Sequence, residues 1–201
     1  MLLREVRRLS KKSEKRNLTA SNVEIREEEG KRTITGYAVK WEMKSHAMGW
    51  RQFKEQFKRG AFTESLTNND QLALWSHDTS KVLGRTKNGT LRLFEDEIGL
   101  RFELDLPNTT LGNDAYETIK RGDVDGVSFG FNMLKQEWDE NDAENITRTI
   151  TKARLLEISP VAFPAYPDSQ VQARSYDPYE EHVETRKQKE RRQRLYLETF
   201  L

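Results

Sequence analysis

The chain has 201 residues, a formal charge of +1, and nearly equal shares of charged (33%) and hydrophobic (35%) residues, which suits one domain with a modest core rather than several. It contains no cysteine, which excludes disulfides, zinc-thiolate sites and a cysteine nucleophile. No apolar run approaches the roughly 18–20 residues of a membrane-spanning helix. The opening residues, Met1 to Arg16, are basic but lack an apolar stretch, so no secretory signal is read there.

Three zones follow along the chain. Residues 1–22 carry no buried-strand pattern and read as a basic, mobile N-terminal segment. Residues 23–173 alternate like a β protein. Thr33 to Trp41 is rich in β-branched and aromatic residues, and Gly60 to Leu66 reads as a short helix. Gln71 to Ser76 is a strand-like apolar run that ends at His77. Lys87-Asn88-Gly89-Thr90 is a tight-turn signal before the strand Leu91 to Phe94. Leu100, Phe102, Leu104 and Leu106 alternate with charged residues, placing one apolar face on a strand. A helix is predicted from Thr109 or Thr110, either of which can cap its first turn, to Lys120-Arg121-Gly122, where basic residues and a glycine suit its end. Val127 to Leu134 and Arg148 to Phe163 read as further strands. Residues 174–201 form a charged, helical tail. Its narrow apolar stripe, Leu197, Phe200 and Leu201, suits docking on a partner protein.

Three segments could carry chemistry. Of three histidines, His46 lies in a polar stretch and His182 in the tail, while His77 closes a strand beside Asp78. Ser128 lies inside Gly126-Val127-Ser128-Phe129-Gly130, where both glycines share its strand face and leave the hydroxyl open to approach. The letters match a nucleophile elbow, but an elbow needs strand then helix, and here a helix precedes the strand. Glu157 interrupts an apolar strand, Leu155 to Val161, and a carboxylate among apolar neighbours needs a partner such as an imidazole N–H. A hydroxyl becomes a good nucleophile when a base takes its proton and a third group fixes that base, so Ser128, His77 and Glu157 fit three complementary roles. Asp78 and Asp125 are rival carboxylates.

Trp75-Ser76-His77-Asp78, Gly126 to Phe131 and Leu156 to Ala165 resemble the phage prohead protease family, which is distantly similar to the herpesvirus assemblin proteases. Gly36-Tyr37-Ala38-Val39 and Phe57 to Phe62 resemble its early segments, and the similarity covers about residues 23–173. The resemblance implies a mainly β (α+β) fold, a small antiparallel β-barrel with peripheral helices. It implies a serine endopeptidase with Ser128 as nucleophile and His77 as base. Herpesvirus relatives use a second histidine as third member; Glu157 stands in the corresponding region here and takes that role. Backbone N–H groups near Phe163 and Ala165 would form the oxyanion hole. The implied setting is the host cytoplasm, inside an immature phage capsid, with the scaffold protein or scaffolding segment, the major capsid protein and the enzyme itself as substrates. Self-association into a homo-oligomer is compatible with this reading. No cofactor, metal, membrane or specific nucleic acid is called for. The alternatives are a noncatalytic capsid or tail structural protein on a similar β fold, and a nucleic-acid-binding module using the basic ends.

Overall fold

The computed structural model describes residues 13–18, 23–28, 30–49, 51–162 and 177–198. Strands in chain order are β1 (Ser13–Leu18), β2 (Glu24–Glu28), β3 (Lys31–Lys40), β4 (Lys54–Phe57), β5 (Leu72–Trp75), β6 (Asp78–Arg85), β7 (Leu91–Glu95), β8 (Gly99–Asp105), β9 (Gly126–Asp139) and β10 (Thr147–Val161). The helices are α1 (Thr63–Asn68), α2 (Thr110–Lys120) and α3 (Pro178–Glu198).

Alternation sets which face each strand buries. Leu100, Phe102 and Leu104 of β8 are all at most 1% exposed, as their period of two requires. They face Ile34 and Val39 of β3 in one hydrophobic core, which continues through Phe129 and Phe131 of β9 and Ile150 and Leu155 of β10. Phe57, Phe62, Phe129 and Phe131 form its aromatic centre, with neighbouring rings 5.2–6.2 Å apart in stacked, tilted and edge-on contacts. The helix expected from Thr109 or Thr110 is α2. The Thr109 hydroxyl accepts a 3.2 Å bond from the Gly112 N–H, and Gly122 adopts φ +80° just past its end.

The strands form two open sheets, not the single antiparallel barrel expected. One runs β1-β9-β10-β5-β6, with β4 also on β10; the other runs β2-β3-β8-β7. The first sheet is mixed: β10 pairs antiparallel with β9 but parallel with β4 and β5. The reason lies in the length of β10. Its 15 residues, like the 14 of β9, outrun the short strands beside them, so β4 and β5 share its second edge in succession. The Asn88-Gly89 turn carries the chain from β6 in one sheet to β7 in the other, with Gly89 at φ +70°.

Two segments differ from their sequence reading. No strand is expected before Val23, yet β1 pairs along β9 from Ser13↔Asn132 to Leu18↔Val127. The tail helix α3 seats its first turns on the far end of β9. The Tyr179 hydroxyl donates to Glu140 at 2.8 Å, Arg186 donates to the same carboxylate, and the His182 ring stacks on Trp138. Phe200 and Leu201, part of the docking stripe, lie outside the described residues.

Burial pushes the Glu140 carboxyl upward, but the Tyr179 and His182 hydrogen bonds and the Arg186 charge outweigh it, so its pKa lies below the ordinary value of 4.5. A depressed carboxylate pKa stabilises docking fully above that ordinary value and loses its effect as pH falls through the depressed one. Hydrogen exchange in the first turns of α3 is therefore expected to accelerate in that acid window. In Glu140→Gln it should be fast at neutral pH as well.

Candidate active site

The two core-facing phenylalanines of β9 define where Ser128 points. Phe129 and Phe131 enter the core, so Ser128 and Gly130 project from the opposite face. On β10, Ser159 lies directly across from Ser128 and Glu157 directly across from Gly130. Opposed residues of an antiparallel pair share a face, so these four positions form one patch.

Glu157 reaches that face through an irregularity. Leu155 pairs with Phe131 and Glu157 with the adjacent Gly130, so β10 carries an extra residue there. Without the bulge, Leu155 and Glu157 would share a face; with it, Leu155 is wholly buried in the core and Glu157 turns to the other side. Gly130 makes the space: a Cβ there would stand 2.6 Å from Glu157 Oε1, so a larger residue would displace the carboxylate.

β5 and β6 supply the histidine. Trp75 pairs with Asp78, leaving Ser76-His77 as a two-residue hairpin turn with φ +50° and +62°. Positive φ at both positions is the mark of a type I′ turn. It costs non-glycine residues about 1–3 kcal/mol each, although histidine tolerates it better than most. The turn is held to β10 by Ser76 N–H to Pro160 O (3.3 Å) and His77 N–H to Ser159 Oγ (3.1 Å).

His77 Nδ1 lies 2.8 Å from Glu157 Oε1, and the other carboxylate oxygen accepts 2.6 Å from the Ser159 hydroxyl. Both oxygens of Glu157 are thus engaged, and both side chains of the pair are largely buried. With Nδ1–H donating to the carboxylate, the neutral ring presents Nε2 as its acceptor. Ser128 is wholly buried, and its hydroxyl donates to the Arg16 carbonyl of β1 at 3.0 Å.

The structure therefore brings His77 and Glu157 into contact and sets Ser128 on the same face, one strand over from Glu157. The rival carboxylates have other occupations. Asp78 accepts from Ser80 N–H and Oγ and pairs with Lys81, and the Ser80 hydroxyl above all holds its carboxyl below the usual range. Asp125 is exposed just ahead of β9. Phe163 and Ala165, the expected neighbourhood of the oxyanion hole, lie outside the described residues. Ser159 does not emerge from the sequence reading. The signal that could have found it is its place two residues after Glu157, which on a strand is the same face.

Together, fold and site define a two-sheet, mainly β protein that gathers a serine, a histidine and a carboxylate on one face of its mixed sheet. The chain belongs to the Caudovirus prohead serine proteases, whose family model matches residues 20–182. Among solved structures, the bacteriophage T4 capsid assembly protease is similar at 10% identity and a TM-score of 0.49, over 74% of this chain and 97% of that one. No curated protein sequence matches. No helix among the described residues is long and apolar enough to cross a membrane.

Proposed function

We propose that this chain is a serine endopeptidase that matures a phage capsid, cutting the scaffold protein or scaffolding segment, extensions of the major capsid protein, and itself, inside the prohead in the host cytoplasm. The family membership supports the class. The observation that carries the site is the His77–Glu157 pair beside Ser128 on one face of the sheet. The peptidase unit is residues 23–173, with 1–22 and 174–201 as its flanking segments.

In this reading Glu157 accepts the Nδ1–H of His77 and fixes the tautomer, so that Nε2 takes the Ser128 proton as Oγ attacks the scissile carbonyl carbon. The imidazolium so formed is stabilised by the adjacent carboxylate. It returns the proton to the leaving amine, and water then releases the acyl group by the same exchange. The experiment is direct: incubate the purified chain with scaffold and capsid protein and identify the fragments by mass spectrometry. Defined cuts support the assignment; intact substrates and an intact chain under assembly conditions would remove it.

Ser159 acts through the other two as a positioning residue. Its hydroxyl donates to Glu157 and accepts from the His77 backbone, tying both members to β10. A hydrogen bond to a charged group is worth about 1.5–3 kcal/mol, so Ser159→Ala is expected to lower kcat on the order of tenfold or more with KM nearly unchanged. Ser159→Thr, which keeps the hydroxyl, should restore most of it. A change confined to KM, or no rescue by threonine, would place Ser159 outside the catalytic network.

A further inference from the structure

We infer that the sheet face carrying Ser128 continues into a basic strip, and that the strip holds an acidic stretch of the polypeptide being cut. This inference rests on the catalytic reading above and names a substrate feature which that reading leaves open. Two irregularities build the strip. Ile150 pairs with Gln136 and Ala153 with Met133, and between them Lys152 stands opposite Lys135. Each strand thus fits two residues between neighbours that face the core, where regular alternation allows one. Ile150 and Ala153 are buried in the core, Met133 packs against it, and Gln136 reaches the buried Arg148. Lys135 and Lys152 therefore both turn to the other side, which is the side of Ser128, Gly130 and Glu157. Arg154 joins them from the position opposite Asn132, which alternation also places on that face. On β4, Glu55 and Phe57 are buried, so Lys54 and, one step past the strand, Lys58 alternate to the same side. The bond from Lys58 N–H to Ile150 O (3.0 Å) keeps this segment alongside β10.

These cations repel one another. Like charges directly opposite destabilise a strand pair, and Lys135 faces Lys152 across one. Lys152 pairs with Glu64 of α1, but Lys54, Lys58, Lys135 and Arg154 have no ion-pair partner among the described residues. Glu137, past Lys135 on β9, is the acid that shares their face there. A surface with such an excess of positive charge attracts an anion. Its place in the fold says which kind. Along β10, Arg154 stands about 10 Å and Lys152 about 17 Å from Glu157, at roughly 3.3 Å per residue. An extended substrate rises by the same amount, so a peptide with its scissile bond at Ser128 brings onto the strip residues that lie about three or more positions from that bond. The aromatic residues of these three strands, Phe57, Phe129, Phe131 and Trp138, face the core side. The strip thus lacks the stacking platforms that single-stranded nucleic acid uses, and an acidic polypeptide is the ligand that fits.

Two peptides spanning one cleavage site of the scaffold protein test this. They are identical through the second residue on either side of the scissile bond and carry Glu in one, Gln in the other, at the positions beyond. Binding is read by fluorescence anisotropy on full-chain Ser128→Ala, which leaves the peptides uncut, and cleavage is read on the parent. Both are repeated with Lys135→Gln, Lys152→Gln and Arg154→Gln combined. Salt at about 0.5 M gives a second route if that variant folds poorly, because it screens exposed charges on the unmodified chain. The Glu peptide is expected to bind on the order of tenfold more tightly than the Gln peptide, from three exposed charge contacts together, and to be cut with a KM lower by a similar factor. The triple variant and high salt should each abolish that preference. Equal binding of the two peptides by the unmodified strip, or a preference that survives the triple variant, would overturn the inference and leave the peptidase assignment standing. So would a duplex DNA probe whose binding is lost in the triple variant while the peptides show no preference, an outcome that assigns the strip to nucleic acid. No cleavage of either peptide by the parent would remove the peptidase assignment, and the substrate role of the strip with it.

Discussion

Ser128→Ala is expected to fold as the parent does and to lose cleavage by a factor on the order of 10⁴–10⁶. The size follows from the chemistry, since the variant lacks the attacking oxygen itself. Ser159, the nearest candidate across the ladder, already donates to Glu157 and accepts from His77 N–H. The fold should tolerate the change because alanine fits wherever serine is buried, and the bond from Ser128 to the Arg16 carbonyl joins it to a strand at the end of its sheet. Fragment analysis against the parent checks it. Parental fragments from the variant would mean that another residue attacks.

The second large effect falls on Glu157. Glu157→Gln keeps the shape of the side chain but removes the charge that faces the imidazolium, and it can place an amide N–H where Nδ1–H now donates. Histidine then adopts the wrong tautomer, and cleavage is expected to fall by on the order of 10²–10⁴. Asp78→Asn should change the rate by no more than about twofold, because Asp78 serves its own turn through Ser80 and Lys81. Steady-state kinetics on the two variants decide between the carboxylates. A crippled Asp78 variant beside a mild Glu157 variant would reverse the choice.

Much of this architecture is legible from local pattern. The alternation of Leu100, Phe102 and Leu104, the β-branched run of β3 and the capped span of α2 each carry their signal within a few residues. A buried charge network shows where such a reading fails. Ser13–Leu18 is almost wholly polar, and it becomes a strand because Glu14 meets Arg148, which lies 134 positions away. β6 is likewise mostly exposed and polar; its pairing with β5 turns Ser76-His77 into a hairpin rather than a plain strand end. The site residues were visible as types: a histidine at a strand end, a serine between glycines, an acid in an apolar strand. That His77 and Glu157 touch was a sequence inference from chemical need. That Glu157 faces the Ser128 side depends on a one-residue bulge, which no periodicity reveals. The two-sheet arrangement also escaped the pattern, since strand lengths and parallel pairings belong to the assembled sheet.

The most direct test of the central claim is adduct mapping with a fluorophosphonate, which reacts covalently with an activated serine hydroxyl. The chain is treated, digested and sequenced by mass spectrometry, with His77→Ala treated in parallel. The predicted result is one adduct, on Ser128, formed by the parent and lost from the His77 variant. An adduct on a different serine, or labelling of Ser128 that survives the loss of His77 unchanged, would contradict the account.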